Sequence, residues 1–329
     1  MILTQKCGGR NSSFRFVNMH HLPGLGGWCI FIRVMFYLKY MIMYLFVFFI
    51  SFISNIIAQQ EGDSVGFRVA SYNIRYAAEE DEVSGNGWEL RKKPLAELVL
   101  THQFDIIGTQ EGNKQQLQEL KDLLPGYSYV GHPYGGNGDL HNCATFYKDS
   151  LFEVLDEGVF WYSETPDVPS IGWDATDRRV CNWVEFREKQ SGIVFYFFNS
   201  HFYWRYNIAR EKSGAVLVNK IKKIVMDAPV ISVGDYNSVD STRQIATILQ
   251  ILNDARLTTE VEPKGPLGTS FPGGVFKGEP SNRIDYIFHS SHFRVCDYMV
   301  FDDTYADGRY PSDHLPVSSW VVIKRYKNE

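Results

Sequence analysis

Cysteine is scarce, five in 329 residues, and only Cys143, Cys181 and Cys296 lie beyond residue 58. That excludes a disulfide-stapled scaffold, and the spacings match no zinc pattern. A surplus of positive charge is also missing. The chain carries −5 overall. Residues 1–58 hold five basic side chains (Lys6, Arg10, Arg15, Arg33, Lys39) and no acidic one, so the remainder has 28 basic against 38 acidic groups, a balance of −10. A broad polyanion-binding face needs clustered Lys and Arg and is therefore not expected. Any phosphate chemistry must be local and metal-assisted. There is no P-loop, no dinucleotide-binding fingerprint and no GxSxG elbow. Ser312, Asp313 and His314 are contiguous, whereas hydrolase triads draw on separated segments. What the sequence does have is 44% hydrophobic and 15% aromatic residues, enough to bury a sizeable core.

Residues 41–57, MIMYLFVFFISFISNII, carry no charge; Lys39 precedes them and Ala58 ends them before the polar run QQEGDS. A basic flank, an apolar stretch and a small residue at a plausible cut are the layout of a signal peptide. The expectation is translation from Met35, cleavage after Ala58 and export. Retention as a membrane anchor is the lesser alternative, because a span needs roughly 20 apolar residues. Residues 59–65 read as a short linker and 66–329 as one domain, since no repeat or composition break interrupts them.

Within that domain, ten segments have strand length and are rich in Val, Ile, Phe and Tyr, among them FRVASYNIRY (67–76), FDIIGTQE (104–111), IVFYFFNSHF (193–202) and PVISVGDYN (229–237). Four stretches have helical periodicity, after residue 88 and from residues 113, 207 and 241. Connections between many neighbouring strands are too short for crossover helices, which argues against an all-parallel sheet. The expected class is α+β, two mostly antiparallel sheets packed face to face with helices outside, a four-layer α/β/β/α sandwich.

Polar residues end these apolar strands: Asn73, Glu111, His201, Asp235 with Asn237, Asp285, and Asp313 with His314. A lone Asp after a strand is usually a turn residue capping its own backbone. Six separate segments doing the same thing are more simply explained by convergence on one site. Carboxylates and amide oxygens are hard donors that suit Mg²⁺ or Mn²⁺, and imidazole with carboxylate supplies the base and the donor that phosphoester hydrolysis needs.

SYNIRY, TQEG, NSHF, VGDYNS, RIDYIF and SDHLPV, in that order, resemble the motifs of the endonuclease/exonuclease/phosphatase superfamily, the deoxyribonuclease I-like fold. NGWELRKK and the VCNWVEF region are similar to a bacterial exported branch grouped with carbon-catabolite-repressor-type deadenylases. The resemblance implies that Glu111, Asn73 and Asp313 lie on the metal side and that Asp235 and Asn237 position the attacking water. It implies His314 as the catalytic imidazole oriented by Asp285, and His201 as a second imidazole near the phosphate; whether Asp235 or His314 takes the water's proton stays open. Arg179 matches the branch as a phosphate contact. Tyr203 and Trp204 stand where relatives continue with Asp and His, and they are candidates to stack on a base or sugar, with core packing as the alternative.

The activity implied is that of a Mg²⁺-dependent phosphodiesterase or nuclease, similar to a 3'-5' exoribonuclease, with Mn²⁺ able to substitute. Its substrate would be a short single strand, a nucleotide or a small phosphodiester. The alternatives are a phosphomonoesterase, a lipid or inositol-phosphate phosphodiesterase, and a non-catalytic binding module on the same fold. No obligate protein partner is implied, and a monomer is expected. His102, His132, His141, His289 and His292 match no motif and read as surface or satisfied histidines, and 131–142 and 263–274 as loops near the cleft.

Overall fold

The computed structural model describes residues 35, 37–50, 64–135 and 141–324. The chain forms two compact units, 1–60 and 61–329. In the first, residues 37–50 are helical with exposed side chains. Among the described residues no helix is long and apolar enough to cross a membrane, and the expected cut after Ala58 lies outside them.

The second unit begins with β1 (Ser64–Asn73), two residues before the expected domain start, because Ser64 and Val65 already pair with Lys324 and Ile323 of the last strand. The other strands of its sheet are β2 (Ile106–Gln110), β3 (Tyr127–Pro133), β4 (Asn142–Lys148), β11 (Phe293–Val295), β12 (Met299–Val300) and β13 (Val317–Lys324). They lie in the order β11-β13-β1-β2-β4-β3, with β12 also on β13. A second sheet runs β5-β6-β7-β8-β10-β9, from β5 (Phe152–Trp161), β6 (Val180–Glu188), β7 (Val194–His201), β8 (Val230–Asp235), β9 (Asn253–Asp254) and β10 (Asp285–His289). Among the strands of the described residues, only β1 with β2 and β7 with β8 pair in parallel; their other pairings are antiparallel.

The period-2 alternation of the strands decides the layering. Phe67 and Val69 of β1, Ile106 of β2, Phe195 and Phe197 of β7, Ile231 and Val233 of β8 and Ile287 of β10 form the core between the sheets. The alternate residues face outward. Ala70, Tyr72 and Ile107 meet helices α2 (Trp88–Thr101) and α3 (Lys114–Leu123), which follow the short α1 (Glu79–Val83). Phe198, Tyr286 and Phe288 meet α4 (Asn207–Val225) and α5 (Arg243–Ile248), and a short α6 (Ala255–Thr258) follows β9. The result is the α/β/β/α sandwich. In its middle layer Phe67 packs 5.1 Å from Phe195 and 5.2 Å from Phe152, each such pair worth about 0.5–1.5 kcal/mol beyond its buried area.

A metal-competent cleft at one end of the two sheets

The residues that end the strands share the parity of the inter-sheet core. Asn73 continues Phe67 and Val69, His201 continues Phe195 and Phe197, and Asp235 continues Ile231 and Val233. Toward that end the interface changes from apolar to polar: Gln110 Nε2 donates to Asn199 Oδ1 across the sheets at 2.8 Å, and Thr145 Oγ1 to Asn182 Oδ1 at 3.0 Å. These buried amides were not singled out in the sequence, although their parity was readable there. Beyond them the layer opens into a cleft of about 980 Å³.

Strand register sets the second sheet's contribution. His201 pairs with Asp235, and Asp235 with Asp285, so three neighbouring strands present an imidazole and two carboxylates side by side. The first sheet contributes Asn73 and, one residue past β2, Glu111. Asn73 Nδ2 donates to Glu111 Oε1 and to Asp235 Oδ2, both at 3.0 Å, and so joins the sheets. Its Oδ1 accepts from the Arg75 backbone N–H at 3.0 Å, which makes Asn73 a brace between two carboxylates. Arg75, Glu111 and Asn237 have φ of 56°, 70° and 47°. Left-handed backbone costs a non-glycine residue about 1–3 kcal/mol and clusters where function fixes geometry.

His314 Nδ1 lies 2.9 Å from Asp285 Oδ2, and its Nε2 3.8 Å from Asp235 Oδ2. Thr269 Oγ1 donates to the same Asp285 oxygen at 2.7 Å. Burial works against a charged His314, but the Asp285 and Asp235 carboxylates outweigh it and hold the ring well above the ordinary histidine range. Burial pushes Asp235 up to about 7, with His314 opposing and Asp285 adding to the rise. Burial also acts on Glu111, yet the Asn73 hydrogen bond and the charged His314 hold that carboxyl below its ordinary value. His201 lies well below its ordinary value because it is buried and near Arg179.

Glu111, His201 and Asp235 offer ligand atoms all within 4.8 Å of one another, as do Asp235, Asp285 and His314. Oxygen-rich donors without a thiolate fit Mg²⁺ or Mn²⁺, and a buried and a half-buried carboxylate held together by one amide are an arrangement that a divalent cation offsets. Asp313, expected on the metal side, lines the cleft but joins neither cluster; its Oδ2 lies 3.8 Å from Arg75 Nη1. Asn237 faces the cleft through its turn, with its N–H on Asp235 Oδ1 at 2.9 Å and its Nδ2 on the Phe202 carbonyl.

The aromatic expectations divide. Trp204 lines the cleft and is 56% exposed. Tyr203 is 1% exposed and does not line it, which corrects its reading as a substrate contact: the ring packs inward, with its hydroxyl 2.9 Å from Thr176 Oγ1. Tyr203 acts from behind, since the Arg179 guanidinium is held between the rings of Tyr134 (5.6 Å) and Tyr203 (5.5 Å). His141, read as a surface or satisfied histidine, is a cleft residue; it stacks on Tyr134 at 5.6 Å and meets Tyr76 edge-on at 4.7 Å. No sequence signal marked it. Ser270, Phe271, Gly273 and Gly274, from the expected 263–274 loop, line the cleft as well.

The fold and this site define a phosphoester hydrolase, and the chain belongs to the Endonuclease/Exonuclease/phosphatase family, which it matches over residues 70–314. Among solved structures it is similar to the mannosyl-6-phosphatase Bt3783 of Bacteroides thetaiotaomicron, at 36% identity and a TM-score of 0.73 over 78% of this chain and 99% of that one. It is 32% identical to the uncharacterized protein L388 of Acanthamoeba polyphaga mimivirus, over 70% of this chain and 90% of that protein. It is 21% identical to the 3'-5'-exoribonuclease subunit Ccr4 of the CCR4-Not complex of Debaryomyces hansenii, over 72% of this chain but only 36% of that longer protein.

Proposed function

We propose that this protein is a divalent-metal-dependent phosphomonoesterase acting on small polar phosphate esters, sugar phosphates first among them. The observation that carries the reading is that Arg178 and Arg179 both line the cleft beside the carboxylate cluster, and among the described residues neither makes an ion pair. A terminal phosphate carries about −1.5 to −2 at neutral pH, where a diester carries one charge, so it makes fuller use of two guanidinium groups that have no carboxylate partner. The 36% identity to a mannosyl-6-phosphatase along nearly its whole length supports the same choice. Trp204 at the rim gives a flat apolar surface for a pyranose ring.

Glu111 and Asp235, braced by Asn73, would hold the metal, which supplies charge neutralisation at the phosphoryl oxygens. Asp235 also accepts the proton of the attacking water. His314, kept charged by Asp285 and Asp235, donates a hydrogen bond to the phosphoryl group as the new P–O bond forms and the ester P–O bond breaks, and the departing sugar oxygen takes a proton from water in the open cleft. Asn237, anchored through Phe202, completes the polar wall.

A diesterase or exonuclease is the second reading, favoured by the similarity to an exoribonuclease subunit. One assay separates the two: mannose 6-phosphate and p-nitrophenyl phosphate against bis-p-nitrophenyl phosphate and single-stranded RNA, each with Mg²⁺, Mn²⁺ or EDTA. Monoester turnover that EDTA abolishes is expected. Preference for the diester or for RNA would give the site to the second reading, and turnover indifferent to EDTA would remove the metal. Export with cleavage after Ala58 belongs to the same proposal, and an N-terminus other than Gln59 in the mature protein would refute it.

A further inference from the structure

We infer that Tyr134 is a positioning residue that fixes His201 as a hydrogen-bond donor at Nε2, which leaves the divalent ion to carboxylate oxygens. The inference rests on the metal-dependent reading above and deepens it, because Glu111, His201 and Asp235 are close enough for the imidazole to be a ligand instead. The two roles need opposite tautomers. A ligand at Nε2 presents a lone pair there and keeps its proton on Nδ1; a donor at Nε2 leaves Nδ1 bare.

Tyr134 decides between them. Its hydroxyl lies 2.5 Å from His201 Nδ1. The phenol has one proton, and its neighbours are that ring nitrogen and the Cys143 thiol, which lies 3.8 Å away as a donor to the phenol oxygen and has the Val180 carbonyl within reach at 3.9 Å. That leaves the ring nitrogen as the acceptor for the phenol's proton. The phenol therefore donates to Nδ1 and the ring carries its proton on Nε2. That atom faces Asp235 Oδ2 at 3.4 Å, where an N–H is attracted and a lone pair is repelled. His201 and Tyr134 are both buried, so water does not replace either partner. Tyr134 is itself well anchored: Trp161 Nε1 donates to its carbonyl at 2.8 Å, His141 stacks on its ring and Arg179 covers that ring at 5.6 Å. With Nε2 a donor, His201 faces an anionic ligand of the cleft, and the cation is left with hard oxygen donors that favour Mg²⁺ over Zn²⁺.

The test reads the tautomer directly. In the ¹⁵N-labelled full chain, long-range ¹⁵N–¹H correlations of the histidine rings are recorded without metal and with Mg²⁺, and the His201 signal is assigned by its loss in His201→Gln. A bare Nδ1 and a protonated Nε2 are expected under both conditions. Tyr134→Phe keeps the ring and its stacking but removes the hydroxyl; it should shift His201 toward the Nδ1-protonated form. It should also lower kcat by about tenfold with little change in KM, the scale of one buried hydrogen bond. A protonated Nδ1 in the unaltered protein, loss of the Nε2 proton on adding Mg²⁺, or an unchanged tautomer in Tyr134→Phe would each overturn the assignment. The ring signals do not depend on turnover, so a failure of the phosphomonoesterase reading would be seen separately.

Discussion

At the scale of single residues, the cleft is a set of groups whose charge is set by burial and by one another. Asp235 touches most of them: it accepts from Asn73 and from the Asn237 N–H, and lies within 3.8 Å of both His201 and His314. Asp235→Asn or His314→Ala should lower kcat at least about a hundredfold with the fold retained, as expected when a proton acceptor or a charged donor is lost. Steady-state kinetics with far-ultraviolet circular dichroism checks this, and near-normal turnover in either variant would remove the assigned role. A histidine outside the cleft links stability to pH. His289 is buried, with Nδ1 2.9 Å from the Ser290 carbonyl and Nε2 2.8 Å from Thr258 Oγ1, and burial lowers its pKa. A histidine depressed in the folded state contributes stability that is present above its ordinary value and lost as pH falls through the folded one. Between pH 7 and pH 5 the urea midpoint should therefore drop further for the natural protein than for His289→Gln; parallel slopes would show that the ring titrates alike in both states.

At the scale of elements, the sequence was informative where local pattern and tertiary role agree. All ten strand-length segments became strands, because runs such as IVFYFFNSH alternate between two buried faces. The helix read from residue 207 spans Asn207–Val225. The two- and three-residue strands β9, β11 and β12 escaped notice, being too short to show a period, and so did α1, which is acidic in its first turn and otherwise featureless. His141 was illegible because its place in the cleft depends on Tyr76, distant in sequence, and the choice between stacking and core packing for Tyr203 stayed open because its partners Thr176 and Arg179 lie on another segment. Helix α3 shows how an element serves the site. Its capping box joins Asn113 and Gln116, and Gln116 also accepts from the Ala77 N–H at 3.0 Å and donates to the Arg75 carbonyl at 3.0 Å. Asn113→Ala should cost about 1 kcal/mol, the usual worth of a cap. Gln116→Ala should cost more, about 1–3 kcal/mol, because two further hydrogen bonds, to the Ala77 N–H and the Arg75 carbonyl, are lost with the side chain. Equal losses measured by urea unfolding would mean that the side chain serves only its own helix.

At the scale of the whole molecule, the site belongs to neither sheet alone. Asn73 and Glu111 come from the first sheet, and His201, Asp235 and Asp285 from the second. Gly108 of β2 shows how closely the sheets approach, since a Cβ there would lie 2.5 Å from Val233. A cation bound to Glu111 and Asp235 would bridge the layers at the end where amides replace the apolar core, and binding only to the folded state must raise stability. At a Mg²⁺ concentration about a hundredfold above Kd the gain is about 2.7 kcal/mol. For a domain of this size that corresponds to about 5–10 °C in Tm. Glu111→Gln should abolish most of the increment, because it removes the first sheet's anionic ligand. His201→Gln can still donate a hydrogen bond and should keep most of it. The comparison is made by thermal unfolding with Mg²⁺ and with EDTA. An increment that survives in Glu111→Gln would place the cation at the other cluster, among Asp235, Asp285 and His314, where Glu111 contributes no ligand.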